Sequence, residues 1–181
     1  MAETKTADKP ESTTRKGPAT IGRAYITALS NHDLDAAEAL WKPGSVDHLV
    51  GMADIKVPGE FRPWFANLFA AMPDFSMEIL SVTAQKERAA VHSIARGTFD
   101  GSAKFEGLSP NGAKVELAIL DLITVSDGKI VDNYGFLNGA EMARQLGALP
   151  PQGSFAEKAA AGAVNARVAA AKLIERARSS R

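Results

Sequence analysis

The side chains best suited to chemistry lie in and around one long apolar run. Residues 115–125 read Val-Glu-Leu-Ala-Ile-Leu-Asp-Leu-Ile-Thr-Val, which sets Asp121 among aliphatic neighbours. An ionised carboxylate there is costly unless it is paired or faces a polar cavity. On an extended strand Asp121 shares a face with Leu117, Ile119 and Ile123, and such surroundings raise a carboxyl pKa toward the range useful for general acid–base work. The competing reading makes Asp121 one half of a structural ion pair. His92 sits in a second extended run, on the face of Ile94, Arg96 and Thr98. It would form a proton-handling dyad with Asp121 across neighbouring strands, or serve as an ordinary strand histidine or one on a dimer face. Arg96 would neutralise an anionic ligand, or pair with Asp121 or Glu116.

Tyr134 and Asn138 share strand parity with Asp132 and Phe136 if that strand stays regular. A phenol and an amide aimed into an apolar cavity hold a carbonyl or enolate oxygen. Their plainer roles are core filling for Tyr134, with its hydroxyl on backbone, and helix capping for Asn138. His48, after Asp47, suits a pocket mouth or a loop anchor. Trp64, Phe65 and Phe69 are pocket lining or core, and Asp74 after Pro73 makes a turn or a cap.

The elements that must position these groups are legible from periodicity. Residues 18–31 carry Ile21, Ala24, Tyr25, Ala28 and Leu29 on one helical stripe, and Pro18 suits a first turn. Asp33 caps a shorter helix over 34–41, which Pro43-Gly44 stops. Residues 45–50 are extended and run into a glycine-containing loop. Residues 58–72 place Phe61, Trp64, Phe65, Leu68, Phe69 and Met72 at helical spacing, and Pro73 ends that helix. Two strands follow, 77–85 and 89–99, then turn clusters at 100–102 and 108–112 around a short extended piece at 104–106. Asp127-Gly128 joins strands 115–125 and 130–138 as a tight hairpin. Asn138 caps a short helix over 139–146. Beyond Pro150-Pro151, Ser154 and Glu157 form a capping box for an alanine-rich helix with a thin apolar stripe and a mostly basic polar face. Residues 1–16 have no large apolar side chain after Met1 and read as a disordered leader.

Helices first, then strands on short turns, then a helix: the order argues for an α+β domain over 17–150 with a mainly antiparallel sheet. Helices on one face of a strongly bent sheet enclose an apolar cone. At 181 residues, 45% hydrophobic and 23% charged, the chain suits one domain with a sizeable core. Zero formal net charge removes the usual case for binding nucleic acid or an anionic membrane. There is no cysteine, hence no disulfide or thiolate site, and the three histidines lack metal-motif spacing. With no apolar run of membrane-spanning length and no secretory signal, a cytoplasmic protein is expected.

The stretch 21–150 resembles the SnoaL-like polyketide cyclase group of the NTF2-like superfamily. The resemblance rests on Asn31-His32-Asp33-Leu34-Asp35, Val46-Asp47-His48, Met72-Pro73-Asp74-Phe75 and Arg96-Gly97-Thr98-Phe99. It continues in Gly107-Leu108-Ser109-Pro110-Asn111-Gly112, Ser126-Asp127-Gly128-Lys129-Ile130-Val131 and Gln145-Leu146-Gly147. It implies a cone-shaped α+β barrel, a homodimer, no metal or organic cofactor, and acid–base chemistry of the cyclase or isomerase type. The implied partner is a small hydrophobic or polycyclic molecule. The departures are Phe99 where relatives carry His, Asp132-Asn133-Tyr134 where they carry Glu-His-Trp, and Asn138 where they carry Asp. An Asn keeps a hydrogen-bonding group but exchanges no proton near neutral pH. Three readings stay open. One is an enzyme using Asp121, His92 and Tyr134, with Phe99, Asn138 and His48 beside the aromatic wall. The others are a non-catalytic binder and a dimeric scaffold using the C-terminal helix.

Overall fold

The computed structural model describes residues 16–179; the expected leader, apart from Lys16, lies outside the described residues. Six strands form one curved open sheet in the order β2-β1-β6-β5-β4-β3, antiparallel except where β1 runs parallel to β6. The strands are β1 Trp41–Leu49, β2 Ala53–Lys56, β3 Ser76–Gln85, β4 Arg88–Phe99, β5 Ala113–Ser126 and β6 Lys129–Leu137. The expected α+β class with a mainly antiparallel sheet is what the chain adopts.

Helix α1, Pro18–Ser30, has Pro18 in its first turn and lies against β3, β4 and β5 through Ile21, Tyr25, Ile26 and Leu29. Gly22 makes that approach possible, since a Cβ there would stand 2.9 Å from the Val91 side chain. Helix α2, Leu34–Ala39, is capped by Asp33, whose Oδ1 accepts from the Ala36 N–H at 2.9 Å. Helix α3, Phe61–Ala71, turns Phe61, Phe65 and Leu68 into the core against the same side of the molecule.

Two early expectations need correction. The second helix stops at Ala39, and Trp41 already belongs to β1, buried edge-on against Tyr25 with ring centroids 5.6 Å apart. Pro43-Gly44 makes an irregularity within this strand instead of a stop. The β1–β6 register shifts between Trp41 and Val46, Gly44 adopts φ +89°, and its N–H donates to Val57 O at 2.8 Å. The loop after Val50 holds a further strand, β2, that returns along β1. Four residues are too few for a hydrophobic period to announce it.

Helix α4, Gly139–Gln145, is capped by Asn138, and α5, Phe155–Ser179, begins with the expected box: the Glu157 N–H donates to Ser154 Oγ at 3.2 Å. Phe155, Val164, Val168 and Ile174 are exposed along α5, and an ion pair joins its Glu157 to Arg144 of α4. No helix among the described residues is long and apolar enough to cross a membrane.

Candidate functional site

Between the inner face of the sheet and helices α1, α3 and α4 lies a mostly apolar cavity. Trp64, Phe65 and Leu68 of α3 form one wall, while Val115, Leu117 and Ile119 of β5 form the opposite one. Four methionines, at 52, 72, 77 and 142, complete the lining. Counted out through its mouth the empty space is about 720 Å3, but only about 80 Å3 admits the centre of a water-sized molecule. The enclosed interior is thus small, a slot more than an open chamber.

The polar end of this slot is built by pleat and register. Strand β5 alternates so that Leu117, Asp121 and Ile123 are buried while Ala118 and Leu120 are exposed. Opposite Asp121 on β6 stands Gly135, whose missing side chain leaves room for the carboxylate; a Cβ there would lie 3.2 Å from Asp121 Oδ1. Asn133, two residues before Gly135, is therefore the diagonal neighbour of Asp121, and Asp47 pairs with Asn133 from the other side in the parallel β1–β6 ladder. All three side chains are buried.

Their contacts form one chain. The Tyr25 hydroxyl of α1 donates to Asp47 Oδ2 at 2.6 Å, the Asn133 amide donates to Asp47 Oδ1 at 2.9 Å, and the same nitrogen donates to Asp121 Oδ1 at 3.0 Å. Asp121 Oδ2 has no hydrogen-bond partner among the described residues, and neither has Asn133 Oδ1. Burial pushes the Asp121 carboxyl up to about 7; the Asn133 N–H opposes this and the Asp47 charge adds to it. Burial also raises Asp47, to about 6, against the pull of its two hydrogen bonds from Tyr25 and Asn133. The Tyr25 phenol is held well above its usual value, first by burial and then by Asp47. A carboxyl that exchanges its proton near neutrality inside an apolar slot can act as a general acid or base.

Of the residues singled out from sequence, Asp121, Trp64, Phe65 and Arg96 border the cavity. His92 does not join Asp121. It pairs across the ladder with Leu120 on the outer face, while Asp121 pairs with Val91 on the inner one, so the expected dyad is not formed. Tyr134 also faces outward, stacked on His48 with ring centroids 4.5 Å apart. His48 binds Asp54 at 2.7 Å and approaches Asp132 at 3.4 Å on that face, away from the slot. Asn138 spends its side-chain oxygen on the Glu141 N–H at 3.0 Å, which is the capping role. Phe99 is fully buried core and does not line the cavity. Phe69 stacks on His32 at 4.0 Å instead of reaching the slot. Arg96 directs its guanidinium to Glu78 and Glu116 at 2.8 and 2.7 Å. Asp74 anchors Thr98 by two hydrogen bonds, which hold its carboxyl below the usual range.

Sequence reasoning missed Tyr25, Asp47 and Asn133 as functional candidates. Tyr25 reads as one more stripe residue of α1, and Asp47-His48 as a loop anchor. The available signal was the Asp132-Asn133-Tyr134 triplet itself, where a neutral Asn stands at the position for which the family resemblance implies His. Among the described residues no group of three or more His, Cys, Asp or Glu is placed to hold a metal ion.

The model of the SnoaL-like polyketide cyclase family matches residues 19–146, which takes in the sheet, helices α1 to α4 and the whole cavity. The chain belongs to this family. Among solved structures, IdmH from Streptomyces antibioticus, a candidate polyketide cyclase, is 27% identical with a TM-score of 0.58, covering 72% of this chain and 98% of its own. AclR from Streptomyces galilaeus, a candidate hydroxylase, is 24% identical with a TM-score of 0.62, covering 72% of this chain and 95% of its own. An LEH-like epoxide hydrolase of M. tuberculosis shares the fold at 18% identity, with a TM-score of 0.53 and coverages of 71% and 88%. Comparison with curated proteins gave no match. Helix α5 lies beyond the SnoaL-like match.

Proposed function

We propose that the slot is the active site of an acid–base enzyme of the cyclase or isomerase type. In this reading Asp121 exchanges a proton with a small, largely apolar carbonyl compound. One observation carries it: a buried carboxyl on the wall of an apolar cavity, with one oxygen unclaimed among the described residues and its pKa raised to about 7. As carboxylate, Asp121 takes a proton from the carbon next to the carbonyl, and the electron pair moves to the carbonyl oxygen. Returning the proton at another carbon isomerises the compound, whereas attack of the carbanion on a second carbonyl closes a ring. Family membership and the likeness to IdmH support this class of reaction.

The 80 Å3 of interior space is less than the roughly 150 Å3 of a cavity that takes benzene, so a polycyclic ligand needs the walls to yield. The four methionines supply the means, because their unbranched side chains change rotamer at little cost. The outer sheet face exposes Leu80, Leu120, Tyr134 and Phe136, and this apolar surface supports a homodimer formed through it.

Ring opening of a nitrobenzisoxazole tests the chemistry, since removal of its one reactive C–H proton by a desolvated base releases a coloured phenolate. The wild-type rate is expected to rise with pH through about 7. In Asp121→Asn it should fall by about 10²- to 10⁴-fold while cooperative unfolding is retained. A wild-type rate no greater than that of equimolar acetate, or full activity in the variant, overturns the reading. If the compound is bound without being opened, the protein is the non-catalytic binder.

A further inference from the structure

The chain Tyr25–Asp47–Asn133–Asp121 places two buried carboxyls on either side of one amide nitrogen, and the two do not have equal surroundings. Asp47 accepts two hydrogen bonds, one on each oxygen. Asp121 accepts one, and its other oxygen has no partner among the described residues. Only one orientation of Asn133 suits this arrangement while a negative charge is present. Its N–H groups point at both carboxyls, whereas the flipped amide would aim a carbonyl oxygen at two acceptors.

Among the described residues no cation is paired with either carboxyl. Helix α1 contributes Tyr25, β1 contributes Asp47, β5 contributes Asp121, and β6 contributes Asn133 behind the wall. Helices α3 and α4 and strand β3 present apolar side chains to the slot. Arg96 on β4 borders the slot, but its guanidinium is paired with Glu78 and Glu116. His48 and Asp132 act on Asp47 in opposite senses from the outer face. Two full charges so close in an apolar wall repel each other, and the inexpensive state keeps one proton.

We infer that Asp47 and Asp121 hold a single proton between them at neutral pH, Asp47 being the charged member and Asp121 the member that presents the proton to the cavity. Tyr25 and Asn133 fix that order by solvating the charge on Asp47. Asp47 is thus a positioning residue that sets when Asp121 acts as acid and when as base. The role deepens the proposed acid–base reading, but the sharing of the proton is measurable without any turnover.

The test is a carboxyl-carbon NMR titration of the full chain, labelled at Asp. In the wild type two buried resonances should titrate in separate steps, near about 6 chiefly on Asp47 and near about 7 chiefly on Asp121. Asp47→Asn should move the Asp121 step to lower pH, because the neighbouring charge is gone. Tyr25→Phe keeps both carboxyls and should move the Asp47 step up, narrowing or reversing the order. Two carboxyls already ionised below about pH 5, or an Asp121 step unmoved in Asp47→Asn, overturns the inference. So does a pair that stays fully protonated through neutrality. Where Asp47→Asn does not fold, the Tyr25→Phe shift decides. The pH profile of nitrobenzisoxazole opening adds a second readout. Asp47→Asn should displace its midpoint downward, whereas a merely structural role lowers the rate at every pH and leaves the midpoint in place. If the wild type opens no nitrobenzisoxazole, the catalytic reading fails while the titration still decides the proton.

Discussion

Replacing Asp121 by Asn should flatten the fall of stability with rising pH. The folded-state pKa of Asp121 is raised, from 3.8 to about 7, so the folded protein keeps a proton that the unfolded chain has already released. Stability from this group is therefore fully present below about pH 4 and is lost as pH climbs through about 7, at up to about 1.4 kcal/mol per pH unit. The whole shift corresponds to roughly 4 kcal/mol, an upper value because a charged Asp121 can draw water into the slot. Asp47 pulls in the same direction over a narrower window, from 3.8 to about 6, and is present in both proteins. Asp74 and Glu157 are held below their ordinary values by hydrogen bonds, chiefly from the Thr98 and Gly153 N–H groups, and work the opposite way in both. The informative quantity is thus the difference between the two pH profiles. Urea unfolding of wild type and Asp121→Asn at about pH 5, 6, 7 and 8 should give curves that diverge by roughly 2–3 kcal/mol across that range, with the variant losing less. Parallel profiles would show that Asp121 is ionised at ordinary pH in the folded state, and would refute the argument that burial holds its proton.

Three other changes probe the scaffold. Gly135→Ala sets a Cβ 3.2 Å from both Asp121 Oδ1 and Leu49 Cδ2, and should cost about 1–3 kcal/mol in urea unfolding while displacing the Asp121 titration. Gly101→Ala is the harsher test: its Cβ would lie 2.0 Å from the Ala70 carbonyl oxygen, at the turn where the Gly101 N–H donates to Ala71 O. Unfolding should move by more than about 2 kcal/mol. Removing residues 154–181 deletes an exposed helix held by the half-exposed Arg144–Glu157 pair, and should change domain stability by less than about 1 kcal/mol by calorimetry. A larger loss would mean that α5 packs on the domain.

How far the site could be read from sequence turns on one residue of register. The elements, the Asp127-Gly128 hairpin, the capping roles of Asp33 and Ser154, and the inward face of Asp121 all follow from local rules that act over a few residues. The two-residue turn pairs Ser126 with Lys129 and Val125 with Ile130, and a ladder continued in that register sets Tyr134 opposite Asp121. That regular continuation is what points a phenol into the cavity. The strand does not stay regular. Between Thr124 and Val125 the register shifts by one, so Asp121 faces Gly135, and the burial of β6 changes phase between Ile130 and Asn133. A slip of one residue turns every later side chain to the other face. It sends Tyr134 and Phe136 outward and brings Asn133 and Gly135 in.

Nothing in the residue types around 131–132 announces such a bulge, because Val and Asp fit a regular strand as well as an irregular one. The long loop between β4 and β5 likewise leaves their register open, which is why His92 could be set beside Asp121 on paper and stands on the opposite face in the fold. The same slip sets what Asp121 touches. Without it Asp121 would meet a neutral phenol. With it Asp121 meets an amide that already serves a second carboxylate, the contact on which the proposed sharing of a proton rests.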